Sequence, residues 1–315
     1  MKDVIFRSLA ITLVPVLLAG CLLLRYRGAE NTSEFEMDFE GRTRQYYLYV
    51  PESLPPRPDV LFVLHGGGGK AIQIMGSTRG TFDKLAESNG FIVVYPQGIE
   101  KQWNDGRKDP KTTAHQENIN DAGFLMAIRD RIKEKYGVSR TFFTGISNGG
   151  MMSLRMGCEF PDRVNGVAPV ASSISVDIAS SCAPAGVSLL ILDGKEDPLV
   201  PYDGGSVKVL GSERGSVIGA PASVRLWLRA NGCQAPGDFS GSVVQTIDDD
   251  PEDATKAVVM RFNCKVPVEL VAFEGAGHTW PGSVELLPEW LVGKLSMEMD
   301  GMTKVADFFG LIKSH

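Results

Sequence analysis

Histidine is scarce in this chain: only four of its 315 residues are histidines, which leaves few candidates for a general base. Cysteine is also infrequent. None of the five cysteines forms a C-x-x-C pair or stands near a histidine at zinc-finger spacing, so we expect no bound metal. An excess of basic residues is lacking too, since the net charge is −6. This charge disfavours a broad contact with nucleic acid.

The first 28 residues have the composition of an export signal. Lys2 and Arg7 give a positive start, and an apolar run follows at residues 9–18. The next residues end in Cys21 and resemble the lipobox of bacterial lipoproteins, in which the cysteine is acylated. Because residues 22–24 prolong the apolar run, a cleaved signal without lipid and an uncleaved anchor are the alternatives. All three interpretations place the protein outside the cytoplasm, with contact to the membrane only through this segment.

The remaining chain alternates between patterns typical of strands and of helices. Residues 60–64 and 91–95 are continuous apolar runs, which predict buried parallel strands. An alternating pattern at 35–39 and 45–50 predicts an opening hairpin. The further predicted strands are 141–144, 167–170, 187–192 and 266–273, and the predicted helices are 81–88, 122–135, 151–158, 224–230 and 304–312. This order predicts an α/β fold with a mostly parallel sheet and helices on both faces. We assign residues 29–34 to a short tether and residues 35–315 to one domain.

Residues 238–263 depart from this rhythm. Apolar residues at 243–246 and 258–261 predict a hairpin across the acidic run at 248–253. That run lacks the spaced ligands and central glycine of a calcium loop, so we expect a solvated turn.

Four cysteines remain apart from Cys21, namely Cys158, Cys182, Cys233 and Cys264. An even number in an oxidising compartment predicts two disulfides. The sequence alone allows three pairings. Cys233 and Cys264 flank the predicted hairpin, so a bond between them would close its base.

Ser147 lies in a G-x-S-x-G motif between a predicted strand and a predicted helix. This strand–turn–helix context is that of a nucleophile elbow, in which the serine hydroxyl stands above the sheet. The sharp turn requires glycine on both sides of the serine. We therefore predict Ser147 as a catalytic nucleophile of an α/β-hydrolase fold.

The partners of Ser147 should follow it in the order acid, then histidine. Only His278 and His315 lie downstream, and His315 is the terminal residue, so His278 is the expected base. The strand predicted at 187–192 ends at the two candidate acids Asp193 and Asp197. We favour Asp197 because it lies in the loop beyond the strand, with Asp193 second and Glu196 third.

Two groups of backbone amides are candidates for the oxyanion hole. One is the amide of Asn148, directly after the nucleophile. The other belongs to the glycine-rich run after the strand at 60–64, where Gly67 is the first choice and Gly66 the second. His65, which begins this run, is predicted to hold the loop through hydrogen bonds rather than to act as a base.

Together these motifs resemble the bacterial polyhydroxybutyrate depolymerase-like and feruloyl esterase-like α/β-hydrolases, including the LpqC-type lipoproteins. The matching segments occur in family order along most of the chain; they are residues 65–69, 95–98, 103–107, 120–124, 145–152, 197–205 and 275–282. The resemblance implies a serine ester hydrolase without a cofactor. It supports Asp197 as the acid, and it implies the disulfides Cys158–Cys182 and Cys233–Cys264.

The resemblance also suggests a pocket rim formed by Trp103, Trp280 and Tyr202, although these aromatics could equally be packing residues. The sequence departs from the family at Asn120, where an acid is frequent, and at Asp193, where a histidine is frequent. Neither position belongs to the predicted triad.

The expected substrates are soluble esters, such as hydroxyalkanoate oligomers, feruloyl or aryl esters and acetylated sugars, because no segment is left over for a polymer-binding domain. Two other functions are compatible with the same motifs: a serine peptidase of the same fold, and a non-catalytic envelope-binding lipoprotein. The complete set of nucleophile, base, acid and oxyanion donors disfavours the second.

Overall fold

The computed structural model describes residues 32–312, and the predicted export segment, Cys21 and His315 lie outside them. The strands are β1 (Thr32–Phe39), β2 (Arg42–Tyr49), β3 (Val60–Leu64), β4 (Ile92–Pro96), β5 (Thr141–Ile146), β6 (Gly166–Val170), β7 (Ser188–Gly194), β8 (Gly205–Val209), β9 (Ser212–Val217), β10 (Val243–Ile247), β11 (Lys256–Arg261) and β12 (Val268–Glu274). The helices are α1 (Ala71–Ser77), α2 (Thr81–Asn89), α3 (Thr113–Gln116), α4 (Asp121–Tyr136), α5 (Asn148–Glu159), α6 (Val176–Ala179), α7 (Ala220–Ala230), α8 (Glu289–Val292) and α9 (Gly301–Phe308).

Ten strands form one sheet in the order β1-β2-β4-β3-β5-β6-β7-β12-β11-β10. The six central strands, β4 to β12 in this order, are parallel to one another. An antiparallel hairpin extends the sheet at each edge, β1–β2 at one and β10–β11 at the other. The hairpin predicted within 238–263 is therefore confirmed, and it continues the main sheet. The opening strand begins three residues before the predicted boundary at residue 35, because Thr32 already pairs with Tyr49.

Each face of the sheet carries its own apolar core. Along β3, Val60, Phe62 and Leu64 join the core that packs against α4, α5 and α7, while Leu61 and Val63 join the core under α1, α2 and α9. Burial of both faces explains why the parallel strands are continuous apolar runs. The predicted mostly parallel α/β architecture is confirmed. No helix within residues 32–312 is both long and apolar enough to cross a bilayer.

Candidate active site

Ser147 stands on a strained turn between β5 and α5. Its backbone has φ 58° and ψ −123°, a conformation that residues other than glycine rarely adopt. Close packing enforces the turn: a Cβ on Gly145 would lie 2.6 Å from the Leu64 carbonyl oxygen, and one on Gly149 would lie 2.5 Å from that of His65. The glycines of the motif thus let α5 start directly after the serine, against the end of β3.

Two backbone segments with free amides flank the serine. α5 begins at Asn148, so the first amides of the helix have no acceptor within the helix. Gly66 lies on the other side, where an added Cβ would be 3.6 Å from the Ser147 Cβ. The next amides of that loop are already used, since Gly68 donates to the Lys101 carbonyl (2.8 Å) and Gly69 to the Gly66 carbonyl (3.0 Å). Within residues 32–312, the Gly66 and Gly67 amides have no backbone acceptor.

His65 holds this loop in place. Its Nδ1 donates to the Gly66 carbonyl oxygen (2.8 Å), and its Nε2 accepts from the Gly98 amide (3.0 Å). Burial lowers the pKa of His65 to about 4, so the ring is neutral at neutral pH. A neutral ring is required for this pair of contacts, because Nε2 must keep a free lone pair.

His278 and Asp197 are brought together from the loops that follow β12 and β7. His278 Nδ1 donates to Asp197 Oδ2 (2.6 Å), and both side chains are almost fully buried. Asp197 Oδ1 accepts from the amides of Leu199 (2.7 Å) and Val200 (2.8 Å), which fix the carboxylate in one orientation. The bond to Nδ1 leaves Nε2 as the unprotonated nitrogen of a neutral ring.

Ser147 lies at the same edge of the sheet as this pair. β5, β6, β7 and β12 are neighbouring parallel strands, so the loops that follow β5, β7 and β12 emerge at their common carboxyl end. Among the hydrogen bonds of residues 32–312, His278 is joined to Asp197, and none joins the serine hydroxyl to His278. In free enzymes of this type the contact between nucleophile and base is often long and shortens in the substrate complex.

A buried polar network holds Asn148 from beneath. Its Nδ2 donates to Asp105 Oδ2 (2.6 Å) and to the Trp103 carbonyl (2.9 Å), and its Oδ1 accepts from the Trp103 amide (2.8 Å). Asp105 also pairs with Arg107 (2.8 Å) and His115 (3.1 Å). Burial alone would raise the pKa of Asp105, but these two partners hold it well below its ordinary value. The sequence predicted no role for Asp105, because its contacts bridge distant segments that no local pattern connects.

The three aromatics that the resemblance places at a pocket rim are mostly buried in this structure. Trp103 is fully buried, and its indole N–H donates to the His65 carbonyl (2.9 Å), so it supports the glycine-rich loop from below. Trp280 is 3% exposed and packs on Phe82. Tyr202 is 9% exposed and lines a cavity of about 660 Å³ whose lining includes neither Ser147 nor His278. All three side chains are thus mostly buried, and their place at a substrate pocket stays a prediction.

Asp193, the second candidate acid, is the penultimate residue of β7 and is fully buried, and neither of its carboxylate oxygens has a hydrogen-bond partner within residues 32–312. Burial raises the pKa of Asp193 well above the ordinary value, and the charge of Asp197 adds to this rise. Asp193 is therefore less suited than Asp197 to carry the negative charge that a protonated histidine needs.

We expect the substitution Asp193→Asn to change how stability depends on pH. The unfolded chain releases this proton above about pH 4, whereas the folded protein retains it to higher pH, so the wild type loses stability as pH rises. The variant lacks that loss. Its melting temperature should match that of the wild type near pH 3 and exceed it by a few degrees at pH 8. Each kcal/mol of added stability raises the melting temperature by ~2–4 °C. Thermal unfolding across this range measures the difference, with the exposed Glu252→Gln as control; parallel curves would contradict the assignment.

Two disulfides join Cys158 to Cys182 and Cys233 to Cys264. These are the pairings that the family resemblance implied. The second closes the base of the segment that contains the β10–β11 hairpin. Both fit a protein that folds in an oxidising compartment.

The comparisons with known proteins point to ester hydrolases. NocK of Nocardia uniformis subsp. tsuyamanensis, which is named as an esterase, is 27% identical over 306 aligned positions that cover 88% of this chain and 82% of that protein. Feruloyl esterase B of Thermothelomyces thermophilus is 30% identical over 44% of this chain and 46% of its own length. A protein of Aspergillus clavatus named as an acetylxylan esterase is 32% identical over 37% of each chain. The chain thus spans less than half the length of these two fungal relatives.

The solved structure of the acetyl xylan esterase from Aspergillus awamori superposes with a TM-score of 0.57 at 17% identity, covering 89% of this chain and 99% of that chain. This likeness establishes the α/β-hydrolase fold that the sequence predicted. No protein-family model matches the chain.

Proposed function

We propose that this chain, a carboxylic ester hydrolase similar to feruloyl and acetylxylan esterases, cleaves its substrates with Ser147, His278 and Asp197 as a catalytic triad. The observation that carries the proposal is the buried hydrogen bond from His278 Nδ1 to Asp197 Oδ2, at the same sheet edge as the strained Ser147 turn. A serine hydroxyl needs an adjacent base to become a nucleophile, and the base needs a third group to orient it. These three residues supply one group for each role.

The first half of the reaction forms an acyl-enzyme. Ser147 Oγ attacks the ester carbonyl carbon and transfers its proton to His278 Nε2. Asp197 stabilises the resulting imidazolium through Nδ1. When the tetrahedral intermediate collapses, the carbon–oxygen bond of the ester breaks and His278 gives its proton to the departing alcohol. A water molecule then attacks the acyl-enzyme by the same route, which releases the acid and restores Ser147.

The oxyanion of the intermediate is bound by backbone amides. In this proposal Asn148 donates from the start of α5, and Gly67 or Gly66 donates from the loop after β3. The positive end of the α5 dipole favours the same negative charge. The network around Asp105 acts at a distance, since it fixes the side chain of Asn148 and so the position of its amide.

The proposed substrates are small or oligomeric soluble esters outside the cytoplasm, with acetyl or feruloyl esters of carbohydrates as the favoured class. The names of the relatives support this class, and the two disulfides support the compartment. Attachment through an acylated Cys21 is part of the proposal and concerns a residue outside the described range.

A hydrolysis panel tests the proposal. It contains p-nitrophenyl acetate, methyl ferulate, acetylated xylan fragments and hydroxybutyrate oligomers, together with an anilide matched to one of the aryl esters. We expect the protein to hydrolyse the carbohydrate and aryl esters and to leave the anilide intact over the same period. Preferential cleavage of the anilide would replace the proposal with a peptidase.

A further inference from the structure

The most exposed tryptophan of the described chain lies on the segment that follows the His278 loop. Trp290 is 77% exposed, and it is accompanied by Leu286 at 59% and Leu287 at 51%. We call these three side chains the Trp290 platform. Isolated exposed apolar residues are ordinary, but three within five consecutive positions require an explanation.

The segment that carries the platform is fixed at both of its ends. At the first end, the Val284 amide donates to the Ser77 carbonyl (3.1 Å), and Arg79 Nη2 donates to the Ser283 carbonyl (3.1 Å). At the other end, the Val292 carbonyl accepts a hydrogen bond from the amide of His278. The exposed side chains are thus presented by an anchored backbone rather than by a free loop tip.

The second anchor connects the platform to the proposed base and acid. The His278 amide donates to the Val292 carbonyl (2.5 Å), and the Gly277 amide donates to the Lys294 carbonyl (2.9 Å). A Cβ on Gly293 would lie 2.8 Å from Gly277 Cα and 3.6 Å from Pro198 Cδ, so the same backbone also contacts the loop of Asp197. Trp290 is two residues from Val292, a chain distance of at most ~7 Å.

The chemistry around the platform limits its partner. Glu285 and Glu289 are exposed beside it, and neither forms an ion pair with any residue between 32 and 312. Carboxylates accept hydrogen bonds and repel anions. A polyester offers them no donor, and an anionic membrane surface is repelled. A neutral glycan offers both requirements: apolar ring faces for the indole and leucines, and hydroxyl donors for the carboxylates.

We propose that the Trp290 platform binds the glycan chain of a carbohydrate ester and so places its acyl group at the nucleophile. This inference rests on the proposed function and adds a binding surface to it. Binding energy from a part of the substrate that does not react is used to position the part that does. The platform therefore contributes to glycan-borne esters and not to small ones.

The first test compares Trp290→Ala with Val244→Ala, which removes a 54% exposed side chain from the edge strand β10. The measured quantity is the ratio of kcat/KM on acetylated xylan fragments to kcat/KM on p-nitrophenyl acetate. We expect Trp290→Ala to lower this ratio about tenfold, equivalent to ~1.4 kcal/mol, mainly through KM, and Val244→Ala to leave it unchanged. An unchanged ratio in Trp290→Ala, or a loss confined to hydroxybutyrate oligomers, would overturn the proposal.

The second test does not depend on catalysis. In native gels that contain unsubstituted xylan, the Ser147→Ala protein should migrate more slowly than in gels without xylan, and adding Trp290→Ala should remove that retardation. Equal retardation with and without Trp290 refutes the platform. Retardation by xylan, together with a wild-type protein that hydrolyses no ester of the panel, would instead refute the proposed function and leave glycan binding standing. Unchanged thermal unfolding of Trp290→Ala verifies that the fold is intact.

Discussion

Replacing Ser147 with alanine is expected to lower kcat for p-nitrophenyl acetate by about 10⁶-fold, the loss typical of removing the nucleophile from a serine triad. The reason is chemical, because no other hydroxyl stands on the strained turn between β5 and α5. The alanine side chain is smaller than that of serine and keeps the Cβ, so the turn itself should persist. Initial rates with a saturating ester measure the effect.

The control for Ser147→Ala is the folded state of the variant. Its melting temperature and far-UV circular dichroism should match those of the wild type, since Ser147 is only partly buried and its backbone bonds to Val170 and Met151 do not involve the hydroxyl. Rates within tenfold of the wild type in a folded Ser147→Ala protein would exclude this residue as the nucleophile.

Asp197→Asn is expected to produce the second largest effect, a fall in kcat of about 10⁴-fold. An asparagine at this position can present its amide nitrogen to His278 Nδ1. That contact would stabilise the ring with its proton on Nε2, and a protonated Nε2 cannot accept the proton of Ser147. The variant also lacks the negative charge that stabilises the imidazolium.

Asp193→Asn is the matched control for this prediction, because it makes the same chemical change four residues earlier in the same segment. Asp193 makes no hydrogen bond to His278, so its substitution should leave kcat within a factor of a few of the wild type. If Asp193→Asn were the slow variant and Asp197→Asn the active one, the acid would have to be reassigned to the end of β7. Equal activity of both would exclude each of them as the triad acid.

The central sheet was predictable because its physical signal is local. Residues 60–64 are apolar without interruption, and β3 spans this range with every side chain buried. The glycines two positions before and after Ser147 are likewise a local signal, because they indicate that two backbone segments approach more closely than an alanine Cβ would allow. The scarcity of histidine by itself narrows the candidates for the base to His278, since the other downstream histidine is the terminal residue.

Other features depend on contacts between distant segments and give no local pattern. β8 and β9 were missed because Gly205–Val209 and Ser212–Val217 are short, mostly polar strands that form a separate two-stranded sheet. Asp105 supports Asn148 across 43 positions of sequence. The burial of Trp103 could not be predicted either, since a sequence does not distinguish an indole on a pocket rim from one beneath a loop. The exposure of Trp290 could not be predicted for the same reason.

The triad mechanism depends most directly on an activated hydroxyl at Ser147, and covalent labelling measures that property without assuming a substrate. The full chain is incubated with a fluorophosphonate, its intact mass is recorded, and the labelled peptide is sequenced. We expect one adduct per chain, located on Ser147, and no adduct in Ser147→Ala. Absence of labelling in protein that is folded, or an adduct on another residue that persists in Ser147→Ala, would contradict the mechanism.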